Sequence, residues 1–402
     1  MQNKLNNPIY LYKGKLSCEE MVNLKPLIPF SDEVLEFLNN LSARIMKNKE
    51  AKEYPDIITF GFFCRKGNLQ KLKQTYAGKI EERIGKGLSF HIAPSNVPIN
   101  FAYTLVVGLL SGNICIVRAS SKDFAQTRII CKLMKETFEE KPNIIEDYIA
   151  VVSYNRDSNM TEELSKLADA RIIWGGDNTV IEIRKSPIKP RAVEVTFADR
   201  YSLCVIDAAK LIQITDLTKL AREFFNDTYL FDQNACTSPR MMIWLGDKEK
   251  IEKAKEVFWD AIHNYILTRY KIESVVAVDK LMTELNCAVD FENVHIEKTQ
   301  DNLINRIQIQ SLEMNIPDYR CVGGCFLEYD ATNLDDLKKI VTDKYQTLSY
   351  LGCNPKEIQE WVIKNGLKGI DRIVPIGKTA DFGLIWDGYD LITTLSRICY
   401  CE

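Results

Sequence analysis

From Gly87 onward the chain alternates short apolar runs with longer stretches whose apolar residues recur at helical spacing, and polar or glycine-bearing turns separate the two. That alternation predicts strands and helices in βα succession. Leu88–Ala93 reads as a strand that runs into Pro94-Ser95-Asn96-Val97-Pro98, and a helix follows to about Leu110. After the Ser111-Gly112-Asn113 turn, Ile114–Val117 reads as a buried strand ending at Arg118-Ala119-Ser120. Lys122–Glu140 is then helical, Ile149–Ser153 a strand, Thr161–Ala168 a helix and Arg171–Trp174 a strand, and Gly175-Gly176-Asp177 opens a helix to about Arg184. Two more strands, Ala192–Phe197 and Leu203–Asp207, follow a proline-containing loop. The period argues for parallel βαβ units, in which ligands bind beyond the carboxyl ends of the strands. Asn96, Arg118 and Gly175-Gly176 fall there.

The remainder is patterned less regularly. Before Gly87, Ser31 is a plausible N-cap for a helix with Val34, Leu35, Leu38, Leu41 and Ile45 on one face. Ile57–Phe63 reads as a strand, and Lys66–Ile84 as a basic amphipathic stretch. Beyond residue 204, helices are expected at Ala221–Leu230, Lys248–Tyr270, Leu334–Val341, Glu357–Lys364 and Leu391–Ile398. Strands are expected at Met241–Leu245, Arg306–Gln310, Phe326–Tyr329, Tyr345–Leu351 and Arg372–Ile376.

A chain of 402 residues can bury a substantial core in two or three domains. Its net charge of -3 offers no basic footprint for nucleic acid. The longest apolar run, Phe101–Val117, is interrupted by Gly108, Ser111, Gly112 and Asn113 and makes a poor membrane span. The start, Met1–Pro8, lacks the apolar core of a secretory leader, so a cytoplasmic protein with reduced thiols is expected. Neither the twelve cysteines nor the three histidines carry zinc-site spacing, and no metal is expected.

Candidate chemistry centres on Asp232-Gln233-Asn234-Ala235-Cys236-Thr237-Ser238-Pro239. Small neighbours around Cys236 leave room for close backbone approach, as a nucleophilic thiolate and an oxyanion beside it require. The helix and polar turn before it place Cys236 at a loop or helix start. The plain alternative is a buried structural cysteine. His91, in the strand before the Asn96 loop, is the one histidine near candidate residues and is expected to be packed in place.

These residues together resemble the aldehyde dehydrogenase superfamily and, within it, the LuxC-like acyl-CoA reductases. Four motifs carry the resemblance: Ala93–Pro98 with Asn96, Ser111-Gly112-Asn113 with the strand to Arg118-Ala119-Ser120, the Cys236 motif, and a C-terminal set. That set comprises Tyr345-Gln346-Thr347-Leu348, Asp371–Gly377 and Trp386-Asp387-Gly388-Tyr389. The resemblance implies an α/β fold of aldehyde dehydrogenase type, a Rossmann-type cofactor domain plus an α/β catalytic domain. Its expected divisions are a packing segment at 1–85, a nicotinamide domain at 86–203, a catalytic domain at 204–376, and a segment at 377–402. The last would return to the cofactor domain or cross to another subunit.

By the same resemblance, Cys236 is the nucleophile, and the Asn96 amide with the Cys236 backbone N–H forms the oxyanion hole. Arg118 and Ser120 contact the adenosine ribose, the arginine favouring NADPH with NADH as the other option, and Gly175-Gly176 lie under the pyrophosphate. Hydrolytic relatives carry a water-activating glutamate where Thr196 stands here, or Glu194 if the alignment slips by two. The implied reaction is NADPH-dependent reduction of an acyl thioester, on coenzyme A or a carrier, to an aldehyde through an acyl-Cys236 enzyme. A homo-oligomer and an acyl-activating partner enzyme are also implied. The competing readings are a cysteine acyltransferase or thioesterase without nicotinamide, and a non-catalytic partner that binds an acyl carrier.

Overall fold

The structure, a computed structural model, describes residues 8–402; the Met1–Asn7 start read above for a leader lies outside the described residues. The described chain forms two compact units, one reaching to Ala198 and including Leu384–Glu402, the other spanning Asp199–Gly383.

In the first unit a six-stranded sheet runs Ile9–Lys13, Ile149–Ser153, Ile114–Arg118, Leu88–Ile92, Ala170–Trp174, Val193–Phe197 from edge to edge. All neighbours are parallel except the antiparallel edge strand Ile9–Lys13. Numbered along the chain, the parallel strands lie in the order 3-2-1-4-5. That is the doubly wound order, and it reverses between Leu88–Ile92 and Ala170–Trp174. The central strands are buried along their whole length, and the polar residues they carry, Ser89, His91 and Arg171, are buried with them and hydrogen-bonded.

The second unit holds a seven-stranded sheet in the order His295–Lys298, Asn305–Gln308, Cys325–Ala331, Pro239–Leu245, Tyr201–Asp207, Tyr345–Leu351, Arg372–Pro375. Only the His295–Lys298 edge is antiparallel. Alternate residues build two cores, one on each face. Leu203, Val205, Met241, Ile243, Leu327 and Leu348 pack on one side. Cys204, Ile206, Met242, Trp244 and Phe326 pack with Phe224 and Phe258 on the other.

The structure corrects several expected elements. Residues 57–63 belong to the helix Pro55–Phe63, with proline in its first turn and Ile57, Phe60 and Gly61 buried at helical spacing. A Cβ on Gly61 would meet Ile45 Cγ2 at 2.8 Å, so glycine permits the close approach of the Asp32–Lys47 helix. The basic helix stops at Thr75, and Arg83–Gly85 is a strand. Residues 334–337 form only a 3-10 turn. The final stretch is one helical turn, Leu391–Thr394, followed by a strand, Ser396–Ile398, that pairs with Arg83–Gly85; Arg83 also donates to Ser396 Oγ at 2.7 Å. The longest elements to escape the sequence reading are the strands Ile9–Lys13 and His295–Lys298 and the helix Ser274–Asp290; short ones such as Cys18–Met21 and Ala208–Leu211 escaped it too.

Candidate active site

In the second unit, the helix Leu217–Asp227 and a 3-10 turn, Tyr229–Phe231, deliver the chain to the amino end of the central strand Pro239–Leu245. Cys236 sits in this approach, half-buried, in a turn rather than at a helix start. Two consecutive residues before it, Asp232 (φ 51°) and Gln233 (φ 57°), adopt the left-handed conformation. Without glycine, that backbone needs external restraint.

Gln233 supplies most of it. Its buried amide donates to Pro239 O at 3.2 Å and Cys325 O at 3.0 Å, and its Oε1 accepts from Gly324 N–H at 2.7 Å. Asp232 accepts from Tyr270 Oη–H at 2.6 Å, and Asp232 O from Gly323 N–H at 3.1 Å. The Cys236 carbonyl accepts from Ser202 Oγ–H at 2.6 Å, and Ser202 Oγ in turn accepts from Thr347 N–H at 3.2 Å. The Cys236 loop is therefore tied to the amino ends of three neighbouring strands.

The Gly323-Gly324 turn gives the spacing between Cys321 and Cys325 its meaning. Both glycines have positive φ, and a Cβ on Gly324 would lie 2.1 Å from Leu303 O. Behind the turn, the buried Lys280 donates to Gly323 O at 3.0 Å and Asn302 O at 2.6 Å, and burial pulls its amine down to about 8. None of the twelve cysteines is in a disulfide. The neighbouring Cys321 thiol, together with burial, drives the Cys325 thiol well above its ordinary range.

One further carboxylate braces this unit. Asp227, closing the helix that leads to Cys236, accepts from Gly377 N–H at 2.6 Å and Thr379 N–H at 3.0 Å. Burial pushes it up to about 6 despite those donors. Sequence reasoning missed Gln233, Ser202, Lys280 and Asp227. For Gln233 the signal was its place three residues before the cysteine.

In the first unit, the loop with Asn96 leaves the carboxyl end of Leu88–Ile92, and Gly175-Gly176 leaves that of the neighbouring Ala170–Trp174. They flank the switch point of the sheet. Asn96 is exposed. A Cβ on Gly175 would meet Thr179 Cγ2 at 2.9 Å, and Gly176 is the N-cap of Asp177–Arg184. An aspartate in the first turn of that helix adds negative charge, which weakens the attraction of this helix start for an anion.

Arg118 ends the next strand. Its guanidinium lies over the Tyr154 ring, 4.9 Å from Cζ to centroid, and its buried Nε has no hydrogen-bond partner among the described residues. Burial, with Arg156 nearby, works against its positive charge. An incompletely paired, half-buried guanidinium is suited to an anion. Ser120 follows two residues on, its Oγ accepting from Lys122 N–H at 3.1 Å.

Two other residues from the sequence reading are engaged in structure. His91 is fully buried, Nδ1 2.7 Å from Thr104 Oγ1 and Nε2 2.9 Å from Ser89 Oγ, and burial drags its pKa down to about 3. It is a neutral packing residue. Glu194 is gripped by Arg171 and by Arg184, the latter at 2.7 Å. Burial opposes its carboxylate, but the two guanidinium contacts outweigh it and hold its pKa below the ordinary value. So clamped, it is a poor base for water.

The fold is that of the aldehyde dehydrogenases. Aldehyde dehydrogenase 21 from Physcomitrella patens superposes with a TM-score of 0.65 at 10% identity, covering 91% of this chain and 84% of its own. A glyceraldehyde-3-phosphate dehydrogenase from Methanocaldococcus jannaschii, complexed with NADP, gives 0.63 at 13% identity, covering 95% and 90%. Within that class, the chain belongs to the acyl-CoA reductase (LuxC) family, whose model matches residues 20–398. The long-chain acyl-protein thioester reductase of Vibrio harveyi is 26% identical over 296 residues, 73% of this chain and 59% of that protein. Its counterpart from Photorhabdus laumondii is 23% identical over 322 residues, 78% of this chain and 62% of that one. The match thus spans less than two thirds of these relatives' length. No helix among the described residues is long and apolar enough to cross a membrane.

Proposed function

We propose that this chain reduces an acyl thioester to an aldehyde through an acyl-Cys236 intermediate, with NADPH as reductant. The observation that carries the reading is the half-buried Cys236 held on a strained loop by Gln233 and Ser202, in a chain of the acyl-CoA reductase family. The nicotinamide cofactor fits the first unit: a doubly wound switch point flanked by Gly175-Gly176, and an Arg118 Nε without a partner among the described residues. Arg118 and Ser120 would hold the adenosine end, and the fork of the guanidinium favours the 2′-phosphate of NADPH.

In this mechanism the Cys236 thiolate adds to the thioester carbonyl, and the Cys236 backbone N–H receives the oxyanion, a role that the family resemblance also gives to the Asn96 side-chain amide. The bond to the carrier sulfur breaks; the carrier thiolate leaves with the electron pair and takes up a proton. The acyl group remains on Cys236. The nicotinamide, when bound, supplies the hydride that brings this thioester to the aldehyde level. Collapse of the resulting thiohemiacetal breaks the carbon–Cys236 bond, frees the aldehyde and restores the thiolate. With Thr196 where hydrolytic relatives carry glutamate, and Glu194 clamped by two arginines, the acyl-enzyme is not offered an activated water. Transfer to nicotinamide chemistry is the route left open.

The test is NADPH oxidation with acyl-CoA and with acyl-carrier thioesters of graded chain length. Aldehyde should form with the native chain and not with Cys236→Ala, and Asn96→Ala should slow turnover about 100- to 1,000-fold. Acylation of Cys236 by intact mass without any NADPH loss, across all carriers, would replace the reductase reading with an acyltransferase.

A further inference from the structure

The helix Ser274–Asp290 in the second unit has its amphipathicity reversed. Its inward face is polar: Lys280, Thr283 and Glu284 are buried with Cys287. Lys280 donates to Asn302 O and Gly323 O, Thr283 to Arg320 O at 3.3 Å, and Glu284 accepts from the Asn305 side chain and from Lys298. Its outward face is apolar. Val275, Val278, Met282, Leu285 and Val289 are each more than half exposed, Val289 at 84%, and Leu281 stands beside them half exposed. A contiguous apolar face of several hundred Å² on a soluble protein marks an interaction surface.

The spacing of that face says what covers it. Steps of three, four, three and four residues make a heptad seam, the pattern with which one helix packs along another. The seam is also nearly symmetric about Met282. Val275 and Val289 lie seven residues to either side, and Val278 and Leu285 lie four before and three after. An antiparallel helix of the same sequence therefore sets valine against valine at both ends, Val278 against Leu285, and methionine against itself at the centre.

Charge agrees with the same arrangement. The exposed entry to the helix carries Arg269, Lys271 and Glu273, while its exit carries Asp290 and Glu292. Lys271 lies just before the helix and Glu292 just after it, so antiparallel pairing brings an entry of net positive charge, Arg269 and Lys271 outweighing Glu273, towards the net negative exit. Between Ser274 and Val289 the exposed charge is Asp279 alone, beside the seam.

We propose that Ser274–Asp290 is the contact between two copies of this chain, paired antiparallel about a two-fold axis through Met282. Such an isologous contact needs self-complementarity in both shape and charge, and this face has both. At 17 residues the helix is about 25 Å long. Two such faces bury on the order of 1,000 Å², the lower end for a specific interface.

Sedimentation equilibrium of the full chain over a wide concentration range tests this. The native protein should approach twice 46.1 kDa, and Met282→Glu with Leu285→Glu should weaken association at least about tenfold without changing the circular dichroism spectrum. Lys271→Glu alone should weaken it, and adding Glu292→Lys should restore it, a rescue that generalised misfolding would not give. A native chain that stays monomeric, an assembly indifferent to Met282→Glu with Leu285→Glu, or charge reversals that add rather than compensate would each overturn the proposal.

Discussion

At the scale of single residues, what a side chain does here follows from whether its neighbours complete its bonding. His91 is completed by two hydroxyls and is inert, whereas Arg118 keeps a buried Nε without a partner among the described residues. Arg118→Lys retains the positive charge but removes the planar fork. The expected result is a loss of about tenfold in the NADPH-over-NADH ratio of kcat/KM, near 1.4 kcal/mol. Steady-state kinetics with both reductants decide it; an equal loss with each would mean that Arg118 does not read the 2′-phosphate. Arg118 could be singled out from sequence because the end of a parallel strand is a definable place. Gln233 was visible only as a neighbour of Cys236, since its amide partners, Gly324 and Cys325, lie about ninety residues downstream.

At the scale of elements, the Cys236 loop behaves as one braced unit. Replacing Gln233 by Leu strands the Gly324 N–H and removes the donors to the Pro239 and Cys325 carbonyls, all in a buried setting. Each orphaned group costs about 1–3 kcal/mol, so a loss of several kcal/mol in unfolding free energy is expected. The two left-handed residues would lose their restraint, and acylation of Cys236 should slow at least about tenfold while Cys236→Ser leaves the denaturation midpoint nearly unmoved. Pre-steady-state acylation and urea melts of both variants check this. Normal acylation in Gln233→Leu would show that the loop holds its shape by other means.

Elements also show where periodicity stops being informative. The βα succession from Leu88 to Phe197 was legible because its buried parallel strands are short, mostly apolar and bounded by turn residues. The run Ile57–Phe63 is equally apolar and reads alike, yet Pro55 and the tight seat of Gly61 on Ile45 make it a helix. Ser274–Asp290 escaped for the opposite reason. Its buried Lys280 and Glu284 and exposed valines and leucine invert the pattern on which such recognition depends.

At the scale of the molecule, the candidate residues lie at opposite ends of the parallel strands in the two units. The candidate cofactor residues follow strand carboxyl ends, as doubly wound sheets require, and sequence pattern alone located them. Cys236 precedes its strand, so the same rule gave no guide to it, and only the motif did. The units also differ in how they answer pH. His91 in the first has a folded pKa of about 3 against an ordinary 6.5, so its contribution to stability is present above 6.5 and lost as pH falls towards 3. Asp227 in the second is raised from 3.8 to about 6, so its contribution is present below about 4 and lost as pH rises through 6. At about 1.4 kcal/mol for each pH unit separating folded and unfolded values, each is worth a few kcal/mol, and with opposite sign. Chemical denaturation between pH 4 and 7 should therefore show a shallower acid loss in His91→Gln than in the native chain. Asp227→Asn should show a steeper one, because the gain that Asp227 contributes on acidification is gone. Asp227→Asn should also be less stable at pH 7, since an amide cannot accept from both Gly377 and Thr379 N–H. Parallel pH profiles for all three proteins would contradict both assignments, and a change in only one variant would locate the error in the other unit.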